Sequence, residues 1–368
     1  MAPIKILLVT HSLSGGGAER FASILATHLD RARFAPAIAA ATARRGYALP
    51  DDVAVSTLGY SGLLTLPRSV RRLRRLIEAR RPDVVLSNVL STNGLAGWAL
   101  RGAGSPAAWV ARIGNAPGIG ESSLQRRTVR RAYRRAAALV CNSEGARAAF
   151  GRCYPELAGF AEHLPNPTDC ALLDRLAGEP TAIDGGAPTL LWVGRLVRQK
   201  RPDLLIDAFS RVHPQIPCRL VVCGDGPLRR AVERRARERG VGREVELRGF
   251  VDNPFALMHR SDLFVMTSDF EGLPNALIEA QALGLAAVAT RAPHGVDEVV
   301  ADRSTGRLVA VGDGAALARE IVALLRDPEG RRAMGEAARG RARRLFGLDA
   351  VLPRWSALLE RVAATGRR

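Results

Sequence analysis

The feature that most constrains this chain is an alternation, repeated in both halves, of short apolar runs bounded by turn residues with longer segments of helical apolar spacing. Such alternation is the sequence form of βαβ units, whose strands lie parallel in one sheet and are buried on both faces. The predicted strands are 4–9, 53–58, 84–86, 107–111 and 139–142 in the first half, and 189–193, 219–223, 245–248, 263–266 and 286–289 in the second. Helical signals fit between them. Pro202 suits a first helical position, and Leu204, Leu205, Ala208, Phe209 and Val212 follow at helical spacing.

A chain of 368 residues exceeds what one core usually organises, so the two halves read as two doubly wound α/β domains. Pro155, Pro165, Pro167, Pro180, Gly185, Gly186 and Pro188 break the pattern between them, which predicts an interdomain linker in that stretch. From Gly330 the tail reads as two helices, the last with an apolar stripe of Trp355, Leu358, Leu359 and Val362 that must be buried. Five cysteines with no C-x-x-C spacing and no histidine cluster indicate neither a disulfide framework nor a zinc site. The first apolar run leads into a glycine loop instead of a cleavage site, and no run approaches the roughly 18 apolar residues of a membrane span. A cytoplasmic protein, at most peripheral on a membrane, is the expectation.

In open α/β sheets ligands bind beyond the carboxyl ends of the strands, so chemistry is sought just after each predicted strand. After 263–266 comes Ser268-Asp269-Phe270-Glu271-Gly272-Leu273-Pro274-Asn275-Ala276-Leu277-Ile278-Glu279-Ala280. Pro274 fits the first turn of a helix, with Glu271 in the loop and Glu279 inside the helix. Free amides at Leu273, Asn275 and Ala276 would then face an anion along the helix dipole. After 189–193 comes Gly194-Arg195-Leu196-Val197-Arg198-Gln199-Lys200, and after the first strand His11-Ser12-Leu13-Ser14-Gly15-Gly16-Gly17-Ala18-Glu19. The glycine loop is neither a dinucleotide fingerprint nor a P-loop, since the third glycine and a G-K-[ST] are missing.

Together these strings resemble the E-x7-E, G-R-x4-K and G-G-x-E motifs of the retaining family 4 glycosyltransferases of the GT-B superfamily. The resemblance spans the whole chain and implies two Rossmann-like domains facing a cleft: an acceptor domain over 1–168, a donor domain over 169–349, and a C-terminal helix over 350–368 that returns to the first. It implies Glu271 against the transferred sugar, Glu279 on the ribose, Arg195 and Lys200 on the donor diphosphate, and Gly16 and Gly17 near the donor phosphates or acceptor. Asn275, Leu273 and Ala276 join the donor site. Gly249-Phe250-Val251 falls where the family packs the base, and the turns Leu164–Asp169 and Cys223–Pro227 match in register. Where many relatives carry a histidine, this chain has Arg112 and Asn115; these and His11 are the acceptor-side candidates. The implied reaction is a metal-independent transfer of a hexosyl or N-acetylhexosaminyl group from a UDP-sugar to a glycan, including polyprenyl-diphosphate-linked ones, in polysaccharide or glycoconjugate synthesis, with no cofactor.

The net charge is +18, of which thirteen units fall before residue 169. Arg126, Arg130 and Arg134, with Arg127, Arg131 and Arg135, form two rows on one predicted helix whose inward face is Val129, Tyr133 and Ala137. A second cluster holds Arg68, Arg71, Arg72, Arg74, Arg75, Arg80 and Arg81. Such stripes either face solvent or meet an anionic surface such as lipid phosphates. Two other functions fit parts of the sequence: a GT-B sugar-nucleotide epimerase, and a nucleic-acid binder suggested by the basic charge. The low aromatic content and the lack of a recognition motif speak against nucleic acid.

Overall fold

Among the described residues, thirteen short strands assemble into two all-parallel sheets. The structure, a computed structural model, describes residues 2–44, 46–103, 106–114, 123–181 and 186–366. It divides into two compact units, 1–167 with 348–368, and 168–347.

In the first unit, β1 (Ile4–Thr10), β2 (Phe34–Ala40), β3 (Val55–Thr57), β4 (Val84–Ser87), β5 (Ala108–Ile113), β6 (Ala138–Cys141) and β7 (Ala161–His163) lie in the order β3-β2-β1-β4-β5-β6-β7. Helices α1 (Gly17–His28), α2 (Leu66–Arg80), α3 (Leu90–Leu100), α4 (Ser123–Tyr133) and α5 (Glu144–Cys153) link them. Successive side chains of a strand point to opposite faces. Ile6 and Leu8 of β1 therefore pack with Phe21 and Leu25 of α1, while Leu7 and Val9 pack with Leu73 and Ile77 of α2 and Leu95 of α3.

The second unit orders β8 (Thr189–Val193), β9 (Arg219–Cys223), β10 (Val245–Gly249), β11 (Leu263–Met266), β12 (Ala287–Thr290) and β13 (Arg307–Val309) as β10-β9-β8-β11-β12-β13. Its helices are α6 (Cys170–Ala177), α7 (Pro202–Val212), α8 (Arg229–Glu238), α9 (Pro254–Arg260), α10 (Asn275–Ala282), α11 (Val296–Val299), α12 (Gly314–Arg326) and α13 (Pro328–Phe346). As the spacing predicts, α7 begins with Pro202 and buries Leu204, Leu205, Ala208, Phe209 and Val212. In each unit the chain leaves its first strand to one side and later returns to the other. The strand order thus reverses between β1 and β4, and between β8 and β11.

The last helix, α14 (Leu348–Gly366), belongs to the first unit, as the resemblance implies. Trp355, Leu358, Leu359 and Val362 are all buried in the core beneath α1. The Trp355 ring lies 4.8 Å from that of Phe21, and its Nε1 donates to the Pro165 carbonyl at 3.0 Å.

Three strands escape the sequence reading. The β2 segment contains Pro36, which argues against a central strand. Strand β3 pairs only with Ile38–Ala40 of β2, so at Pro36 the strand is locally an edge and the missing N–H costs no ladder bond. The other two, β7 and β13, have three residues each and sit at sheet edges. The predicted linker also contains real elements: β7, and helix α6, whose Asp169 caps the Leu172 amide at 2.9 Å. Nor does the helix carrying the paired arginine rows run its predicted length. It ends at Tyr133, leaving Arg134 and Arg135 in a turn and Ala137 exposed, because Ala137 already donates to Trp109 on the way into β6.

Replacing Trp355 by alanine removes the ring packed against Phe21 and its hydrogen bond together. The expected loss is roughly 3–5 kcal/mol, read as a lower denaturation midpoint, whereas Trp355→Phe keeps the ring contact and loses about 1–2 kcal/mol. Equal midpoints for wild type and Trp355→Ala would contradict the anchoring role of α14.

Candidate active site

The strongest cluster of chemistry lies at the carboxyl ends of β8 and β11, where the second sheet reverses its order. Adjacent parallel strands deliver their following loops side by side, and in open α/β sheets this crevice is the expected ligand site. The loop after β8 carries Arg195 and Lys200; the loop after β11 carries Glu271. Side chain and backbone bonds join the two loops. Gln199 Nε2 donates to the Phe270 carbonyl at 2.9 Å, and the Gln199 backbone carbonyl accepts from the Asp269 amide at 2.8 Å. Thr267 Oγ1 donates to the Lys200 carbonyl at 2.7 Å, and Arg201 reaches Asp269 at 3.1 Å.

Within this frame Lys200 Nζ lies 2.5 Å from Glu271 Oε1, which also accepts from Ser268 Oγ at 2.6 Å. Ser268 is itself fixed, since its carbonyl accepts from Thr290 Oγ1 at 2.6 Å. Glu271 is buried and Lys200 half-buried, so the pair is shielded from solvent screening and bound by a charge-assisted hydrogen bond. Arg195 is exposed and, among the described residues, has no carboxylate partner. The two motif cations therefore differ: one is held by a carboxylate, the other is open to an incoming anion.

Two glycines explain how Arg195 reaches this edge. A Cβ on Gly224 would stand 1.8 Å from the Gly194 carbonyl oxygen, and one on Gly226 would stand 2.5 Å from that of Leu196. Both glycines have positive φ, and Leu196 donates to the Asp225 carbonyl at 2.9 Å. The turn after β9 thus buttresses the arginine loop, a contribution that the motif reading assigned only to register. Gly295 does the same for the glutamate loop, where a Cβ would meet the Gly272 carbonyl at 2.0 Å.

Helix α10 starts one residue later than predicted. Pro274 occupies the cap position, not the first turn, and its carbonyl accepts both the Leu277 and Ile278 amides at 3.1 Å. Glu271 remains in the loop and Glu279 is buried on the helix. Among the described residues, the Leu273 and Ala276 amides donate to no protein acceptor; Asn275 opens the helix beside them. Phe250 follows β10 and is 60% exposed, an uncommon position for a large aromatic side chain.

In the first unit, Gly16 caps α1 and Gly17 opens it at the carboxyl end of β1. A Cβ on Gly16 would lie 2.1 Å from Glu19 Oε2, so this glycine makes room for the Glu19 carboxylate at the helix start. His11 is half-buried just after β1. Arg112 corrects an expectation. It is 1% exposed, its Nη1 donates to the Asn88 carbonyl at 3.2 Å, its Nη2 donates to Asn166 Oδ1, and its guanidinium sits 4.3 Å from the Phe21 ring centre. Burial pulls its pKa down to about 10, opposed by the negative charge of Glu19. Arg112 therefore braces the interior of the unit and is not a surface contact for an acceptor. Around it Arg112 Nε, Asn88 Oδ1 and Asn142 Oδ1 are buried and, among the described residues, have no hydrogen-bond partner. Asn115 lies outside the described residues, as does the side chain of Arg126. Arg127, Arg131 and Arg134 are exposed on and after α4, and Arg130 pairs with Glu156 at 3.4 Å.

Sequence and structure comparisons bear on the family. Residues 177–341 match the family of glycosyl transferases group 1, and residues 15–172 match glycosyltransferase family 4. A GDP-mannose-dependent alpha-(1-6)-phosphatidylinositol monomannoside mannosyltransferase of Mycolicibacterium smegmatis is 30% identical, covering 75% of this chain and 76% of that protein. An undecaprenol-PP-oligosaccharide alpha-1,4-N-acetyl-D-galactosaminyltransferase of Campylobacter jejuni is 24% identical, covering 98% of this chain and 99% of its own length. The Anabaena HepE crystal structure in complex with UDP and glucose superposes with a TM-score of 0.82 at 20% identity, covering 97% of this chain and 99% of that one. With its two Rossmann-like units and its motif loops gathered at the strand ends, the chain belongs to the group 1 glycosyltransferases of the GT-B fold.

Proposed function

We propose that this glycosyltransferase moves a hexosyl or N-acetylhexosaminyl group from a UDP-sugar to a glycan hydroxyl, with retention of anomeric configuration. Polyprenyl-diphosphate-linked glycans are among the acceptors we infer. The observation that carries this reading is the Lys200–Glu271 pair at the β8–β11 reversal, with exposed Arg195 on the same loop. A nucleoside diphosphate gains negative charge as the glycosidic bond breaks, and fixed cations aimed at it stabilise the transition state more than the ground state. Arg195 and Lys200 fill that role without a metal ion. Lys200 exchanges Glu271 for the diphosphate, and the released carboxylate turns to the sugar while Ser268 keeps it oriented. Glu279 takes the ribose hydroxyls, Phe250 stacks on the base, and the Leu273 and Ala276 amides add the positive end of α10 to the phosphates. The leaving phosphate accepts the proton of the attacking hydroxyl. Support for the substrate classes comes from the relatives, one acting on an undecaprenol-linked acceptor and another structure holding UDP and glucose.

The group 1 assignment favours transfer over the epimerase alternative. Incubation with the UDP-sugar in the absence of acceptor should give slow hydrolysis to UDP and free sugar; donor recovered as a different sugar isomer would favour epimerisation.

Lys200→Ala is expected to lower kcat/KM roughly 10²–10³-fold. Glu271→Gln keeps the shape and removes the charge, so kcat should fall more than the affinity for UDP. Near-normal turnover in both variants would remove this assignment of roles. Gly224→Ala should damage activity as severely as Arg195→Ala, because a methyl group there displaces the Arg195 loop; steady-state kinetics with a matched donor compare them directly. The anomeric configuration of the product by NMR decides retention, and an inverted product would refute it.

A further inference from the structure

Behind the donor loops, one buried side chain meets the segments of both motif cations. Trp192 is the fourth residue of β8 and is 2% exposed, with its ring in the core that holds Leu196, Leu205 and Phe209. An indole N–H can only donate, so a tryptophan suits a core only where that proton finds an acceptor. Here the acceptor is Thr267, the residue that follows β11, whose Oγ1 lies 3.1 Å from Trp192 Nε1. The Thr267 hydroxyl, itself wholly buried, donates to the Lys200 carbonyl at 2.7 Å. A backbone carbonyl can only accept, so both bonds have a fixed direction, from the indole to the hydroxyl and from the hydroxyl to the lysine peptide. Each bond polarises the next.

The peptide held in this way is a demanding one. It joins Lys200 to Arg201, which takes φ +48° in the left-handed region as the chain enters α7. A residue with a Cβ is disfavoured there, and the conformation persists only where its neighbours hold it. The outer ring of the same indole serves the other cation. A Cβ on Gly194 would stand 3.2 Å from Trp192 Cη2 and 3.4 Å from Cζ2, so the six-membered ring lies against the glycine that precedes Arg195. The turn after β9 holds that glycine as well: the Gly194 amide donates to the Cys223 carbonyl at 2.9 Å, and Gly224 lies against its carbonyl oxygen.

We propose that Trp192 is a positioning residue for transfer: its ring sets the start of the Arg195 loop, and its N–H, through Thr267, sets Lys200. The inference rests on the reading of Arg195 and Lys200 as the cations of the leaving diphosphate. Trp192 and Thr267 are too deeply buried to touch a nucleotide, so they act only through those loops. Stabilisation of a leaving group depends on charges fixed before the reaction, and a small displacement of either cation weakens it. Phenylalanine at this position would keep an apolar ring in the core and would lack both the outer ring and the N–H.

The test is UDP affinity by calorimetry, together with the rate of UDP release from UDP-glucose and UDP-N-acetylglucosamine, for the full-length protein. Trp192→Phe is expected to lower kcat/KM roughly 10–100-fold, with more of the loss in kcat than in KM, and to weaken UDP binding about fivefold. Thr267→Val removes the hydroxyl while keeping the shape and should act in the same direction; Thr267→Ser keeps both bonds and should recover most of the activity. In a Lys200→Ala/Arg195→Ala background, adding Trp192→Phe should change UDP affinity less than about twofold, because the groups it positions are gone. An equal loss in that background, wild-type kinetics in Trp192→Phe, or Thr267→Ser as impaired as Thr267→Val would overturn the inference. If Trp192→Phe fails to fold, the two Thr267 variants decide, since they break or keep the same chain of bonds with the ring in place. Wild-type UDP affinity and turnover in Lys200→Ala/Arg195→Ala, or a wild type that neither binds nor releases UDP, would instead remove the donor-site reading, and this inference with it.

Discussion

Adjacent parallel strands must send their following loops into the same space, and in the second unit that space is filled by a lysine and a glutamate. Lys200 and Glu271 are 71 positions apart in sequence and 2.5 Å apart in the fold. Bringing opposite charges together in a partly buried corner is favourable only when further hydrogen bonds hold them, and Ser268, Thr290, Gln199 and Thr267 supply these. The rest of the site takes its position from this joint. Arg195 is set by the same loop, Glu279 by the helix that follows Glu271, and the open amides by the turn between them.

The joint also explains why glycine appears where it does. Gly224, Gly226 and Gly295 each stand where a side chain would collide with a neighbouring backbone carbonyl. None of them needs to touch substrate to matter for catalysis. Each lets two loops approach more closely than side chains allow, and catalysis depends on that approach because a displaced cation stabilises the leaving group poorly. In the first unit the same logic serves electrostatics, where Gly16 admits the Glu19 carboxylate that offsets part of the cost of burying Arg112.

Much of this was legible in the chain before any coordinates. Central strands such as β8, β9 and β11 are continuous apolar runs, and a run buried on both faces has clear ends; their predicted limits and the observed ones coincide. The motif residues of the donor unit gather at one sheet edge because the motifs follow adjacent strands. What escaped has a physical reason in each case. The β2 strand is masked by Pro36 and alanines, and the three-residue edge strands bury too little to leave a pattern. Arg112 looked like a surface group because arginine usually is one. Only the fold reveals that Phe21, Asn88 and Asn166 surround it.

The charge of the chain carries the same lesson. Counting arginines gives a strongly basic protein, and that count alone points to any polyanion. The fold sorts them into groups with different consequences. Several of those of the second unit, among them Arg235, Arg331 and Arg343, lie against nearby carboxylates, and Lys200 is committed to Glu271. Arg112 is buried against an aromatic ring and a carboxylate, where it acts on packing. On α2, Arg68, Arg71 and Arg75 are exposed and have no carboxylate partner among the described residues, so the field around the chain is set by where its arginines stand and not by their number.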